Sequence, residues 1–299
     1  MPSPTCREAG PGVTRSHFQA QDQIERGAQT ASTGTGWLDR ALEASGPGTT
    51  FRTVSEGNAL PASLAGASTA VTLQGVDSLV LYRNSERVAT ALRGLYTGLD
   101  LPAADQVELS LALLQEAAEL RRTPYAPAEG VTYPTSNLGG ALQDIVRLLK
   151  SGVGLRVASV DVGGWDLHSA AGVVDDGDMT DHLRGLDAAL SAFAADLGDA
   201  LDTVSVVAMS EFGRRVAENG SGGTDHGGGN AMFVLGGGVV GGMHGKWPGL
   251  ADAALVEGDL AGVNDYRDVL AEVVRAQLGV ASMADVFPAH RLTPIGILR

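Results

Sequence analysis

Between Leu155 and Leu278 short apolar runs alternate with amphipathic helical stripes, and this alternation restricts the possible folds more than any other feature. Leu155–Val160 and Val204–Met209 read as strands. Between them Leu183, Leu186, Leu190, Phe193 and Leu197 recur at helical spacing on a helix that starts near Thr180. Strand, helix, strand is the pattern of a parallel sheet with its crossover helix packed on one face. Ala231–Leu235 reads as another strand. Asn264 can cap a last helix through about Leu278, with Val269, Leu270, Val273 and Val274 inward. The expected fold class is α/β, a mostly parallel sheet flanked by helices.

Upstream the pattern is less regular. Residues 1–14 read as an irregular lead, and Ser16 opens a helix to about Gly27, with Gln19 completing a capping box. Gly36-Trp37-Leu38 starts a second short helix. Residues 45–100 contain β-like runs at Ala70–Leu73 and Leu79–Tyr82. Asp105 to Arg122 reads as a helix, Thr123–Thr135 as a proline-containing loop, and Leu142, Ile145, Val146 and Leu149 mark the next helix. Internal repeats and long low-complexity linkers are absent. Residues 1–299 therefore read as one domain, long enough to bury a core.

Composition narrows the chemistry. The 41 glycines are roughly twice the usual share of about 7%, and they concentrate between Gly213 and Gly249. Glycines placed there signal tight turns or close approach of backbone to a neighbour. A net charge of −14 argues against nucleic acid as a partner, because the expected basic stripe is missing. One cysteine, Cys6, excludes an internal disulfide framework and a cysteine-built zinc site. No run reaches the roughly 20 apolar residues of a membrane span, and the first residues lack a charged-then-apolar signal peptide.

Two polar clusters follow buried-looking strands: Gly163-Gly164-Trp165-Asp166-Leu167-His168 and Gly223-Thr224-Asp225-His226-Gly227. Open α/β sheets build ligand sites at such strand ends. Carboxylate oxygen with imidazole nitrogen suits divalent ions such as zinc or manganese, with calcium a further candidate. Asp166 and His168 can both turn toward one ion; the alternative is that Asp166 caps a turn and His168 bonds to it. Glu211, in Ser210-Glu211-Phe212-Gly213-Arg214-Arg215, can serve as ligand or base. Arg214 or Arg215 can clamp an anionic oxygen, or simply form a surface ion pair. Ser16, at a helix N-terminus where anions are favoured, can act as a metal-activated nucleophile or merely cap the helix. His17 can be a ligand, a ligand's neighbour or a packing residue, and His244 can complete a shell. His182 and His290 read as solvated. Gly236-Gly237-Gly238 and Gly241-Gly242 lack the Lys-Ser/Thr ending of a nucleotide cradle.

Arg15-Ser16-His17-Phe18-Gln19-Ala20-Gln21-Asp22, Gly36-Trp37-Leu38, the two clusters above, Ser210–Arg215 and Asp265-Tyr266-Arg267 together resemble the domain of unknown function 1501 (DUF1501) family, over nearly the whole chain. That family is similar to the alkaline phosphatase and sulfatase superfamily, an α/β sandwich with a bimetal site. The resemblance implies that Asp225-His226 is one ligand pair, that Asp166 with His168 forms the other set, and that Ser16 is the nucleophile. It implies export to the periplasm, cell envelope or exterior. Family members usually begin with a twin-arginine signal and a first strand ending in a Gly-Asn-Asp-Gly-Leu-type motif. Neither occurs here, so the resemblance implies an N-terminally truncated domain lacking its first strand and one aspartate ligand. The two-residue spacing from Asp166 to His168 is shorter than in phosphatases. The expected activity is metal-dependent hydrolysis of phosphate or sulfate esters, small molecules or envelope-derived. The alternative is a non-catalytic envelope protein on the same fold, binding a ligand or partner. Neither the oligomeric state nor the identity of the metal follows from the sequence.

Overall fold

The computed structural model describes residues 5–7, 14–28, 34–66, 70–81 and 86–299. At its centre β2 (Thr53–Glu56) lies between β3 (Val71–Leu73) and β4 (Val157–Val160), parallel to both. Val54 stands opposite Val71 and Ala158, and Glu56 opposite Leu73 and Val160. All four residues of β2 are buried, as a parallel strand covered on both faces requires. The helices α3 (Glu86–Tyr96), α4 (Pro102–Arg122) and α5 (Asn137–Ser151) occupy the connection from β3 to β4.

The second strand of the expected parallel pair does not join this sheet. β5 (Ser205–Ala208) pairs antiparallel with β7 (Phe233–Gly236), Val206 opposite Leu235. No crossover helix separates those two strands, and a chain that turns back along its own strand pairs antiparallel. β1 (Thr5–Arg7) pairs antiparallel with β6 (Asn230–Ala231) and parallel with β8 (Asn264–Asp265). Among the described residues the architecture is thus mixed α/β, with a small three-stranded parallel sheet flanked by helices in place of one larger sheet.

Several local expectations change. Part of the supposed irregular lead, Thr5–Arg7, is a strand; residues 1–4 and 8–13 lie outside the described residues. Leu79–Leu81 forms no strand and follows a 3-10 turn over Val76–Ser78, while Tyr82 lies outside the described residues. Helix α3 went unread because it buries none of its described residues, so no core-facing stripe marks it. Ser16 is the N-cap of α1 (His17–Arg26), yet its side chain makes no capping bond. Thr14 Oγ1 instead bonds Gln19 Oε1 and accepts from Ser16 N. Asp265 caps α7 (Tyr266–Leu278) through Arg267 N, whereas Asn264 clasps Lys246 N and O. His290 is half-buried and bonded to Asp268 rather than solvated.

The helical stripes seat as their spacing requires. Leu142, Ile145 and Val146 of α5 meet Ala189, Phe193 and Leu197 of α6 (Asp178–Leu197). Leu148 leaves α5 on the other side and packs with Phe51, Val54 and Val71. Val269, Leu270 and Val274 of α7 pack with Met232, Val286 and Phe287. Near the end of α6, buried Asp196 accepts from Tyr125 Oη, Tyr133 Oη at 2.9 Å, Ala128 N at 2.9 Å and Lys150 Nζ at 2.6 Å. This carboxylate ties the 123–135 loop to α5 and α6. Replacing Asp196 by Ala leaves its donors without an acceptor and is expected to cost about 3–5 kcal/mol. Urea unfolding measures that loss, and a change below about 1 kcal/mol would exclude the carboxylate as a lock.

Candidate metal centre

Four segments distant in sequence meet at the strand ends. β4 runs into an extended loop in which Leu167 is buried while Asp166 and His168 remain exposed. Leu167 anchors the loop, and its flanking residues at i and i+2 therefore turn the same way. The loop is fixed to the second cluster by Thr224 N donating to Leu167 O. A Cβ at Gly223 would stand 2.3 Å from His168 C, so only glycine permits this approach. The segment after β5 pairs with the second cluster: Arg214 and His226 form an antiparallel bridge, Arg215 N donates to Asp225 O, and Gly227 N donates to Gly213 O. Helix α1 supplies its first residue, His17. Buried Phe212 carries the rings of His17 and His226, each with its centroid 4.7 Å from the phenyl centroid.

Asp166 is the hub. Its Oδ1 lies 2.5 Å from Arg214 Nη1, 3.0 Å from His226 Nε2 and 3.1 Å from His168 Nε2. Its Oδ2 lies 3.2 Å from His17 Nε2. The other nitrogen of each ring is engaged elsewhere. His17 Nδ1 meets Glu211 Oε1 at 2.5 Å, His168 Nδ1 meets Asp225 Oδ1 at 3.0 Å, and His226 Nδ1 meets Arg15 O at 2.7 Å. A backbone carbonyl only accepts, and an ionised carboxylate only accepts. Each Nδ1 is therefore the donor, and in the neutral ring each Nε2 presents a lone pair. Yet His168 Nε2 and His226 Nε2 are 2.9 Å apart, which is repulsive unless a proton or another cation lies between them.

The charges are arranged to hold the acids ionised. Burial works against ionisation of Asp166, but the hydrogen bond from Arg214, joined by the His226 and His168 rings when these are protonated, outweighs it and keeps the carboxyl far below the usual range. Asp225 is lowered by His168 and Asn219. Burial raises Glu211, and hydrogen bonds from His17 and Ser210 reverse the effect. The Glu211 contact in turn raises the His17 pKa against its partial burial.

One ligand atom each from His17, Asp166 and His226 lies within 4.8 Å of the others, near enough to hold one ion. His168 adjoins this group, while Asp225 contacts the far nitrogen of His168 and so orients that ring. Arg214 also bonds Thr224 O; Arg215 turns away to Glu257 O and Asp259. His244 bonds Val240 O in its own glycine loop. His182 is half-buried against Trp165. His17 was left open by the sequence because nothing in its spacing links it to residues near 166 or 226. The roles of the Arg15 carbonyl and of Asn219, which holds Asp225 at 3.1 Å, had no sequence signal at all.

Residues 3–275 match the model of the family described as Protein of unknown function (DUF1501), and the chain belongs to that family. No curated protein and no solved structure matches it.

Gly223→Ala tests the backbone contact beneath the centre. The added methyl cannot be placed without displacing His168, and a loss of about 1–3 kcal/mol is expected. An unchanged denaturation midpoint would mean that the two loops separate freely.

Proposed function

We propose that this DUF1501 protein is a metal-dependent hydrolase of phosphate or sulfate esters, built on an alkaline-phosphatase-like scaffold. One observation carries the reading. Imidazole nitrogens from three chain segments, each with its partner nitrogen tied to an acceptor, converge on a single ionised carboxylate. Outer hydrogen bonds that set tautomer and ring orientation are a regular companion of metal-ligating histidines. His17, Asp166 and His226 would hold the ion, with His168 beside it and Asp225 and Glu211 orienting rings. Two imidazoles and one carboxylate favour zinc or manganese over calcium. A bound divalent ion would supply Lewis acidity and lower the pKa of an adjacent hydroxyl or water.

The chain's own residues account for the rest. Ser16 directly precedes His17, and its hydroxyl is not spent on capping α1; it is the proposed nucleophile. The first-turn amides of α1, which have no acceptor within the helix, favour an anionic ester group there. Glu211 keeps the His17 proton on Nδ1, leaving Nε2 for the ion. Arg214 is assigned to holding Asp166 ionised, since its guanidinium is engaged with that carboxylate and Thr224. The same contact favours a second reading. With Arg214 neutralising Asp166, the cluster can stand without an ion, as in a non-catalytic ligand- or partner-binding protein.

Metal content by mass spectrometry, after incubation with zinc, manganese or calcium, separates the two. The parent is expected to retain stoichiometric metal, and the Asp166→Ala/His226→Ala variant to lose it. Glu211→Gln and Asp225→Asn should each weaken affinity by about 10–100-fold. Ser16→Ala should keep the metal and abolish turnover of 4-nitrophenyl phosphate or sulfate. Metal-free parent protein, or absence of turnover in the metal-loaded parent, would overturn the hydrolase reading, and turnover that survives Ser16→Ala would remove Ser16 as the nucleophile.

A further inference from the structure

A second group of acids lies where β2 and β3 end. Glu56 is the last residue of β2, set between Leu73 and Val160. Its side chain is buried, with 7% of the residue exposed. Oε2 accepts from Gly75 N at 3.0 Å, and Oε1 is enclosed without a partner among the described residues. Asp144 of α5 approaches the same turn. Its carboxylate accepts from Val76 N, and Oδ2 lies 2.7 Å from where a Cβ on Gly75 would stand. Gly75 has φ +80°, so both its conformation and its crowding require glycine.

The charged neighbours do not neutralise Glu56. From α5, Arg147 comes no nearer than 4.0 Å to Asp144 and is committed to Asp77 at 3.1 Å and Leu120 O at 3.0 Å. From the turn, Asp77 is largely exposed and adds negative charge. The facing residues of β3 and β4, Leu73 and Val160, carry no charge. A buried carboxylate with an orphan oxygen beside a second carboxylate is relieved by taking up a proton. Burial, opposed by the Gly75 amide and reinforced by Asp144, pushes the Glu56 carboxyl up to about 7. Burial raises Asp144 as well.

We propose that Glu56 and Asp144 form a pH-operated clasp, in which protonated Glu56 keeps the Gly75–Ser78 turn seated between β2 and α5 and ionised Glu56 releases it. The turn is where the chain leaves the sheet toward α3 and α4, and it packs on α4, where Arg121 donates to Leu79 O. Release would therefore loosen the attachment of that helical pair. The direction with pH is set. A carboxyl whose folded pKa lies above its unfolded value of 4.5 contributes its full stability below that value. The contribution is lost as pH rises through about 7.

Melting temperatures between pH 5 and 8.5 for the parent and Glu56→Gln test the clasp, together with hydrogen exchange of the peptide spanning residues 70–81, corrected for intrinsic rates. The parent should lose stability relative to Glu56→Gln as pH rises through 7. Its Gly75 and Val76 amides should lose protection by about tenfold per pH unit of linked deprotonation. Parallel melting curves would overturn the clasp. If Glu56→Gln does not fold, exchange in the parent decides: protection that is constant across this range overturns the proposal, and protection lost through pH 7 supports it.

Discussion

Asp166 draws together Arg214, His17, His168 and His226 from separate segments, and the local structure at the strand ends follows from the need to satisfy its two oxygens. Side chains this short reach one carboxylate only if their backbones nearly touch. The glycines at 223 and 227 make that possible, since a Cβ at either would lie within 2.5 Å of a neighbouring backbone carbon. Buried Leu167 and Phe212 supply the apolar floor beneath the polar groups. The polar cluster and its small hydrophobic support are therefore one unit: losing the floor would separate the rings, and filling the glycine gaps would push the loops apart.

Around that unit the protein fixes its longer connections with single carboxylates, Asp196 and Asp259 buried and Glu272 half-buried. Asp196 gathers two phenols, an amide and an ammonium, and so fastens a proline-containing loop to the α5–α6 pair. Glu272 does the same near the C-terminus, where it accepts from the amides of Ile295, Gly296 and Ile297. Asp259, paired with Arg15 at 2.8 Å, steadies the residue whose carbonyl holds His226. Asp196 and Glu272 are acceptors surrounded by donors, and Asp259 stands between the cations Arg15 and Arg215. Glu56 departs from the pattern: among the described residues it has one backbone donor and an acid rather than a cation for a neighbour, and this difference makes it responsive to protons where the others are locks.

Helix α5 connects these features. One face joins α6 in a shared core, another presses Leu148 against β2 and β3, and Asp144 reaches the turn beyond β3. Movement of the Gly75–Ser78 turn is thereby coupled to the helix that also carries Lys150, a partner of Asp196.

Periodicity and composition carried much of this. The apolar runs at β4 and β5, the stripes of α5, α6 and α7, and the two Asp/His clusters were all legible, because burial of one face leaves a repeating mark on a sequence. Asp166, His168 and His226 do come together, with Asp225 bound to the outer nitrogen of His168. Helix α3 was invisible because it buries none of its described residues, and the capping box at Ser16 was a plausible pattern that a neighbouring threonine displaced. Strand pairing was beyond reach as well: whether β5 joins β4 or returns to β7 depends on how the chain closes its loops, which a local pattern does not encode. By itself the sequence determined which residues prefer to be buried and which carry metal-type donors. Only the tertiary structure brought in His17, turned the Arg15 carbonyl onto His226 and set Glu56 near Asp144, because those contacts join segments whose separation along the chain leaves no periodic signal.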